Sequence, residues 1–247
     1  MSLREEFERS GNWLFRWRSY LPLLLIFPVA VAAQQYHWPL HSHALQERWE
    51  IVCLVVSFGG FLVRILTVGF VPKGTSGRNA KKGQIAERLN TTGMYSVVRH
   101  PLYFGNFLIG LGMFMFYLFW WLVAIYVLAF WLFYERICFV EEDYLRRKFG
   151  DAFEEWSRNT PAFIPHPWKW RRPHLEFSLR SVLRREYGGM LAIATPFLAL
   201  EASEHYVVEG HIPFEPFWVA FIIVSLAIYL TLRLLKKCTR LLYVEGR

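Results

Sequence analysis

Cysteine is scarce in this chain, with Cys53, Cys138 and Cys238 the only three in 247 residues. They form no close pair and no metal-ligand spacing, which excludes a disulfide framework and a cysteine-based zinc module. Cys53 and Cys138 fall in or beside apolar runs, as small core residues do. Cys238, beside Lys236 and Lys237, could carry a palmitoyl group. Charge is scarce too, at 19% of residues, and acidic residues are the rarer sign, 20 against 28 basic. No stretch reads as a soluble domain, a repeat or a low-complexity tract. His37, His41 and His43 crowd one short loop, but no carboxylate accompanies them and no common site spacing fits, so no metal site is expected. The Phe/Trp run at 114–121 reads as core and lipid-facing apolar mass, not as a cofactor box.

What the chain has instead is apolar length: 54% hydrophobic residues, 18% aromatic, mean hydropathy +0.23. Roughly 20 apolar residues carry a helix across a bilayer, and six runs approach that length: 20–36, 50–71, 102–118, 121–138, 188–206 and 216–235. The third and fourth nearly touch. As one helix, Pro101 to Tyr134 would be about 50 Å long, too long for one crossing of ~30 Å. A tight hairpin near Phe119 and Trp120 resolves this, and both aromatics suit a membrane interface.

The net charge of +8 would suggest nucleic acid in a soluble protein. Here the positions of the cations matter more. Residues 1–18 carry four Lys or Arg, 135–187 carry eleven, and Lys73, Arg78, Lys81, Lys82, Arg88 and Arg99 fall in 72–101. The tail adds Lys236, Lys237, Arg240 and Arg247, whereas 37–49 has only Arg48 and 207–215 has none. Six spans with both termini cytoplasmic satisfy the positive-inside rule at every loop. The expectation is an all-α integral membrane protein, 1–247 forming a single polytopic domain, with some attraction to anionic lipid heads and no nucleic-acid partner. Residues 19–33, with Ala30-Val31-Ala32, resemble a signal peptide, but the charged leader with Glu5, Glu6 and Glu8 argues against that.

Four groups of residues can carry chemistry. Arg99-His100-Pro101-Leu102-Tyr103-Phe104-Gly105 stands at the threshold of the third run. Proline suits the first turn of a helix, so Arg99 and His100 are held where the helix dipole favours anions; an interfacial anchor snorkelling to lipid phosphates is the competing reading. Gly110-Leu111-Gly112 lets a backbone approach a flat ligand or another helix closely, and plain helix packing explains it equally well. Glu141-Glu142 close the fourth run, about two turns after Glu135. Carboxylates at a membrane boundary are costly unless paired or solvated; they suit a cationic ligand, or simple solvation with an Arg146 pair. Arg64 lies inside the second run, a functional hypothesis by default, and Lys73-Gly74-Thr75-Ser76-Gly77-Arg78-Asn79 beyond it could form an anion-binding loop or a mobile basic one. Residues 139–158 read as one helix with an apolar stripe of Leu145, Phe149, Phe153 and Trp156, which Gly150 interrupts at modest cost and Thr160-Pro161 ends. The proline- and tryptophan-rich 161–173 reads as an ordered loop at headgroup level.

Together these motifs are more specific than singly. The order Arg-His-Pro-x-Tyr-x-Gly, an apolar hairpin, Glu-Glu-x-x-Leu-x-x-x-Phe-Gly-x-x-Phe-x-x-Trp and Thr-Pro-x-Phe-Ile-Pro resembles the isoprenylcysteine carboxyl methyltransferase and phospholipid methyltransferase superfamily. The likeness covers about 60–166 as a methyltransferase-like core and leaves 188–236 as an additional C-terminal helical pair. It implies a membrane enzyme with S-adenosylmethionine (SAM) near the cytoplasmic face, in a bacterial-looking subgroup and thus a bacterial inner membrane. By it His100, Tyr103, Gly105, Gly110, Gly112 and Glu142 contribute to the cofactor pocket. Arg99, Glu142 and Glu141 act catalytically, and Arg64, Arg78, Asn79 and Arg99 meet the lipid-like acceptor.

Methyl transfer from a sulfonium requires no metal. The enzyme must align the two reactants, a contribution of about 7–11 kcal/mol. An anionic acceptor is already ionised and needs cationic positioning, whereas an amine must lose a proton to a base. The basic residues around the motif favour O-methylation of an anionic lipid head, a phosphate ahead of a carboxylate. N-methylation of an aminophospholipid, a nicotinamide-dependent reductase related to the sterol reductases, and a non-catalytic scaffold remain the alternatives.

Overall fold

A computed structural model describes residues 2–72, 75, 86–212 and 215–247. Arg78 and Asn79, with Lys73, Lys81 and Lys82, lie outside the described residues. Among those described, the chain is helical without a strand. In order the helices are α1 (Leu3–Trp17), α2 (Ile26–Gln34), α3 (His43–Phe70), α4 (Met94–Val97), α5 (Pro101–Met115), α6 (Trp120–Phe149), α7 (Asp151–Asn159), α8 (Leu179–Arg185), α9 (Gly189–Glu209) and α10 (Pro216–Cys238).

Every apolar run is helical where expected. Three helices, α3, α6 and α10, are long and apolar enough to cross a membrane. The segment Leu3–Trp17 with Leu21–Gln34 makes a fourth if the pair, bent by 82°, is one span. α5 is shorter, at 15 residues. α9 carries Glu201, Glu204, His205 and Glu209 in its last turns, which lower its apolarity. Of the six expected spans, three or four are thus long and apolar enough to cross a membrane. α1 is amphipathic and starts at a capping box, Ser2 with Glu5. It lies along α6, held by Arg4 to Asp143 at 2.7 Å, and Gly11 lets it reach the Arg136 carbonyl.

The hairpin forms as its length required. α5 stops at Met115, Leu118 turns with φ 60°, and α6 starts at Trp120. One expectation fails nearby: 139–158 is two helices. Gly150 takes φ 52° and ψ −126°, a conformation that costs glycine little, so it ends α6 and starts α7 rather than being tolerated within one helix. The apolar stripe survives the break, with Phe153 and Trp156 buried.

The core is aromatic. Phe116, Tyr117, Leu122, Tyr126, Phe197 and Trp218 are buried where α5, α6, α9 and α10 meet. Large apolar side chains such as Leu128, Leu132, Ile223 and Leu234 face outward, as lipid-facing surfaces do. The loop 161–173 runs beside the segment before α5 and clamps it. Arg99 N–H donates to the Pro161 carbonyl (2.9 Å), His166 N–H to Val97 (3.0 Å) and Gly93 N–H to Arg171 (2.9 Å). Trp156 Nε1 adds a bond to the Tyr95 carbonyl at 2.9 Å. These contacts fix the entry to α5, and with it Arg99 and His100.

Candidate active site

His100 is the N-cap of α5, with Pro101 at the first helical position. Proline cannot donate a hydrogen bond there and needs none. The clamped backbone turns Arg99 and His100 toward the end of α6, where Glu141 and Glu142 stand. Arg99 Nη1 donates to Glu142 Oε2 at 3.0 Å, and His100 Nε2 meets Glu142 Oε1 at 2.8 Å. Tyr103, one turn into α5, donates to Glu141 Oε1, whose Oε2 is 3.7 Å from His100 Nδ1. The His100 and Tyr103 rings stack with centroids 5.7 Å apart. Burial alone would push the His100 imidazole down; the Cys138 sulfur and the Glu142 carboxylate beside it outweigh burial and hold it well above its ordinary 6.5.

A second polar cluster adjoins the first. Arg64 of α3 makes a two-pronged contact with Glu186, Nε to Oε2 at 3.0 Å and Nη2 to Oε1 at 2.8 Å. Its Nη1 donates to Asn106 Oδ1 at 2.6 Å. Tyr134 links the clusters, its ring centroid 4.6 Å from that of Tyr103. Five of the expected residues therefore meet around one point: Arg99, His100, Tyr103, Glu141 and Glu142. Arg64 stands one helical turn deeper along α5. Arg78 and Asn79 lie outside the described residues.

The three glycines sit at helix crossings. A Cβ on Gly105 would come within 2.6 Å of Arg64 Cγ and 2.8 Å of the Gly60 carbonyl. On Gly110 it would strike the Tyr126 hydroxyl, and on Gly112 the Cys53 carbonyl and Ser57 Oγ. The packing reading of Gly110-Leu111-Gly112 thus has its partners, and Gly105 brings Arg64 against the motif helix.

Four residues near the site escaped the sequence reading: Asn106, Tyr134, Cys138 and Glu186. Only Glu186 had a signal, since an intramembrane arginine demands a counter-ion and Glu186 lies just ahead of the fifth apolar run.

Known proteins match the same region. Residues 72–152 match the family model described as phospholipid methyltransferase. The central segment is of the phospholipid methyltransferase family. This family segment holds Arg99, His100, Tyr103, Asn106, Glu141 and Glu142, while Arg64 and Glu186 come from outside it. The protein-S-isoprenylcysteine O-methyltransferase of Schizosaccharomyces pombe is 36% identical over 77 residues, covering 31% of this chain and 33% of that protein. The nickel-cobalt-cadmium resistance protein NccN of Alcaligenes xylosoxydans xylosoxydans is 42% identical over 85 residues, 34% of this chain and 38% of the relative. The cobalt-zinc-cadmium resistance protein CzcN of Cupriavidus metallidurans is 35% identical over 126 residues, 48% and 54%. The matches thus span a third to about half of these relatives. No solved structure matches the chain. Family segment and helices together describe an integral membrane protein.

The site's chemistry suits SAM. Glu141 and Glu142 carry the charge that a sulfonium and an ammonium, such as SAM has, would need opposite them, and the Tyr103, Tyr134 and Phe130 rings would offer π faces to a cation. Arg99 Nε and Arg18 Nη1 are buried without hydrogen-bond partners, two donors that fit a carboxylate or a phosphate.

Proposed function

We propose that this protein is a SAM-dependent methyltransferase acting on a lipid-like acceptor at the membrane surface, with O-methylation of an anionic headgroup as its reaction. The observation that carries this is the convergence of Arg99, His100, Tyr103, Glu141 and Glu142 at the mouth of α5 and α6, inside the family segment. SAM supplies an electrophilic methyl on a leaving group that departs neutral. Glu142 holds the sulfonium side of the pocket. His100 and Arg99 hold Glu142. Tyr103 fixes Glu141, and Arg99, with the basic residues beyond α3, receives the acceptor's negative oxygen. An ionised phosphate or carboxylate attacks without losing a proton, so no base is required. The water-soluble donor reaches the site from the cytoplasm, and the lipid enters sideways from the bilayer.

Two relatives are named for metal resistance. O-methylation removes negative charge from a headgroup and with it a surface attraction for divalent cations; N-methylation of an amine does not. This favours the anionic acceptor. The second reading, N-methylation of an aminophospholipid, rests on Glu141, whose Oε2 lies 3.7 Å from His100 Nδ1 and would take an ammonium proton.

The test is calorimetric SAM binding by the purified protein in detergent, wild type against Glu142→Ala, followed by labelled SAM with a total lipid extract. Saturable binding weakened by the substitution, and label in an O-methyl ester of an anionic lipid, is the expected result. Label in a methylamine would select the second reading. A folded protein that binds no SAM would overturn both. Turnover unchanged by neutralising Arg78 and Arg99 would overturn the anionic acceptor.

A further inference from the structure

At the other end of α3 lies a polar cluster that the methyl-transfer site does not use. His43 begins α3, and Arg64 is about 30 Å further along that helix. Opposite His43, the last turns of α9 present Glu201, Glu204 and His205. One ligand atom from each of these four residues lies within 4.8 Å of every other. Glu201, Glu204 and His205 are 5%, 0% and 3% exposed, so water does not compensate them. The sequence reading gave His43 no carboxylate partner; Glu47 stands one turn along α3, and the fold adds Glu201 and Glu204 from a helix more than 150 residues away.

Hydrogen bonding gives the cluster a direction. His205 turns Nδ1 to Glu209 Oε2 at 3.0 Å, and His43 Nδ1 faces Glu47 Oε1 at 3.6 Å. The Glu209 carboxylate hydrogen-bonded to His205 Nδ1 is the arrangement found behind metal-bound histidines; the His43–Glu47 pair, at 3.6 Å, is an ion-pair contact and not a hydrogen bond. Both Nε2 atoms are buried without a hydrogen-bond partner, and that of His205 is 3.3 Å from Glu201 Oε1. Gln46 donates to Glu204 Oε2 at 2.9 Å, which holds that carboxylate while its Oε1 has no hydrogen bond. Glu50 adds a third carboxylate within electrostatic reach of Glu201 and Glu204. Several buried carboxylates side by side are costly unless a cation or protons compensate them.

We propose that His43, Glu201, Glu204 and His205 bind a divalent first-row transition-metal ion, Zn2+ or Co2+, at a site distinct from the methyl-transfer site. Imidazole with carboxylate is the donor set such ions take. Two carboxylates and two neutral imidazoles cancel the ion's charge. A tetrahedral site with bonds of ~2 Å separates its ligand atoms by about 3.3 Å. The His205–Glu201 pair already has that spacing, and side-chain rotations within 4.8 Å bring in the rest. The ion would fasten α9, outside the family segment, to the start of α3.

Untagged protein in detergent, stripped with a chelator, is titrated with Co2+ while ligand-field absorption is followed, and with Zn2+ while melting temperature is followed. Metal content is counted by mass spectrometry. Expected are visible Co2+ bands displaced by Zn2+, about one ion per chain, and a saturable rise in melting temperature. Uptake is lost in the His43→Gln/His205→Gln double variant, is about 10–100-fold weaker in Glu209→Gln, and is unchanged in His37→Gln and His174→Gln. Glu142→Ala keeps the metal whatever it does to SAM, which separates this proposal from the methyltransferase reading. Wild-type protein that takes up neither ion, or uptake that persists in the double variant, would overturn it.

Discussion

Glu142 is the residue on which the candidate site turns, because it accepts from both Arg99 and His100. Its side chain is 18% exposed, so the pair is largely out of water. Removing one partner of such a pair leaves the other charge uncompensated, at about 3–5 kcal/mol when burial is complete. Glu142→Gln keeps the shape and one acceptor, so stability should fall by about 2 kcal/mol, readable by chemical denaturation. SAM affinity should fall more steeply than that stability loss explains. The raised His100 value adds a pH dependence. Its stabilising contribution is fully present below 6.5 and is lost as pH rises through the higher folded value. Melting temperatures of wild type and His100→Gln should therefore converge between neutral and alkaline pH; a constant gap would show that the imidazole is not charged in the fold. These residues were legible because they belong to two short motifs, Arg99-His100-Pro101 and Glu141-Glu142, each contiguous in sequence. Asn106, Tyr134 and Cys138 were not, since nothing in an apolar helix marks which side chain faces a site.

At the scale of elements, close crossings and loop clamps decide the geometry. Gly60 and Gly105 face each other across α3 and α5, each occupying the space where the other's side chain would stand. A methyl on Gly112 meets the Cys53 carbonyl, which is backbone and cannot step aside. Gly112→Ala should cost about 1–3 kcal/mol as an overpacked crossing, measured by thermal unfolding in detergent. Gly59→Ala, with open space around it, should cost nothing. The positions of the apolar helices and the hairpin were legible from apolar length alone, whereas α1, α4 and α8 carry no apolar run that marks them. The break at Gly150 was not, because a glycine within a periodic pattern reads the same whether the helix passes through it or stops. The clamp of 161–173 on 93–99 was likewise hidden, since its bonds run between backbone groups that any residue carries. Arg64 and Glu186 join α3 to the end of α8, and a double-mutant cycle on them should yield a coupling of about 2–3 kcal/mol. A value near zero would mean the contact contributes no net stability.

For the whole molecule, the two polar clusters stand at opposite ends of α3, and this polarity tests the membrane reading. The cation-rich segments lie with the termini and the candidate site; His43 and the turn after α9 lie with the cation-poor loops. α9 looks poorly suited to a membrane by composition. Its offending side chains Glu201, Glu204 and His205 are the ones buried among α3 and the segment before it, so they burden the protein interior rather than the lipid. No local pattern revealed this, because the partner histidine, His43, is remote in sequence from Glu201, Glu204 and His205. In a background without the other cysteines, Cys238 and a cysteine at Ser2→Cys should react with a membrane-impermeant thiol reagent only from the side that SAM reaches. A cysteine at Gly210→Cys should react only from the opposite side. Labelling of all three from one side would place both clusters on the same face, and α9 would then lie along the membrane instead of crossing it.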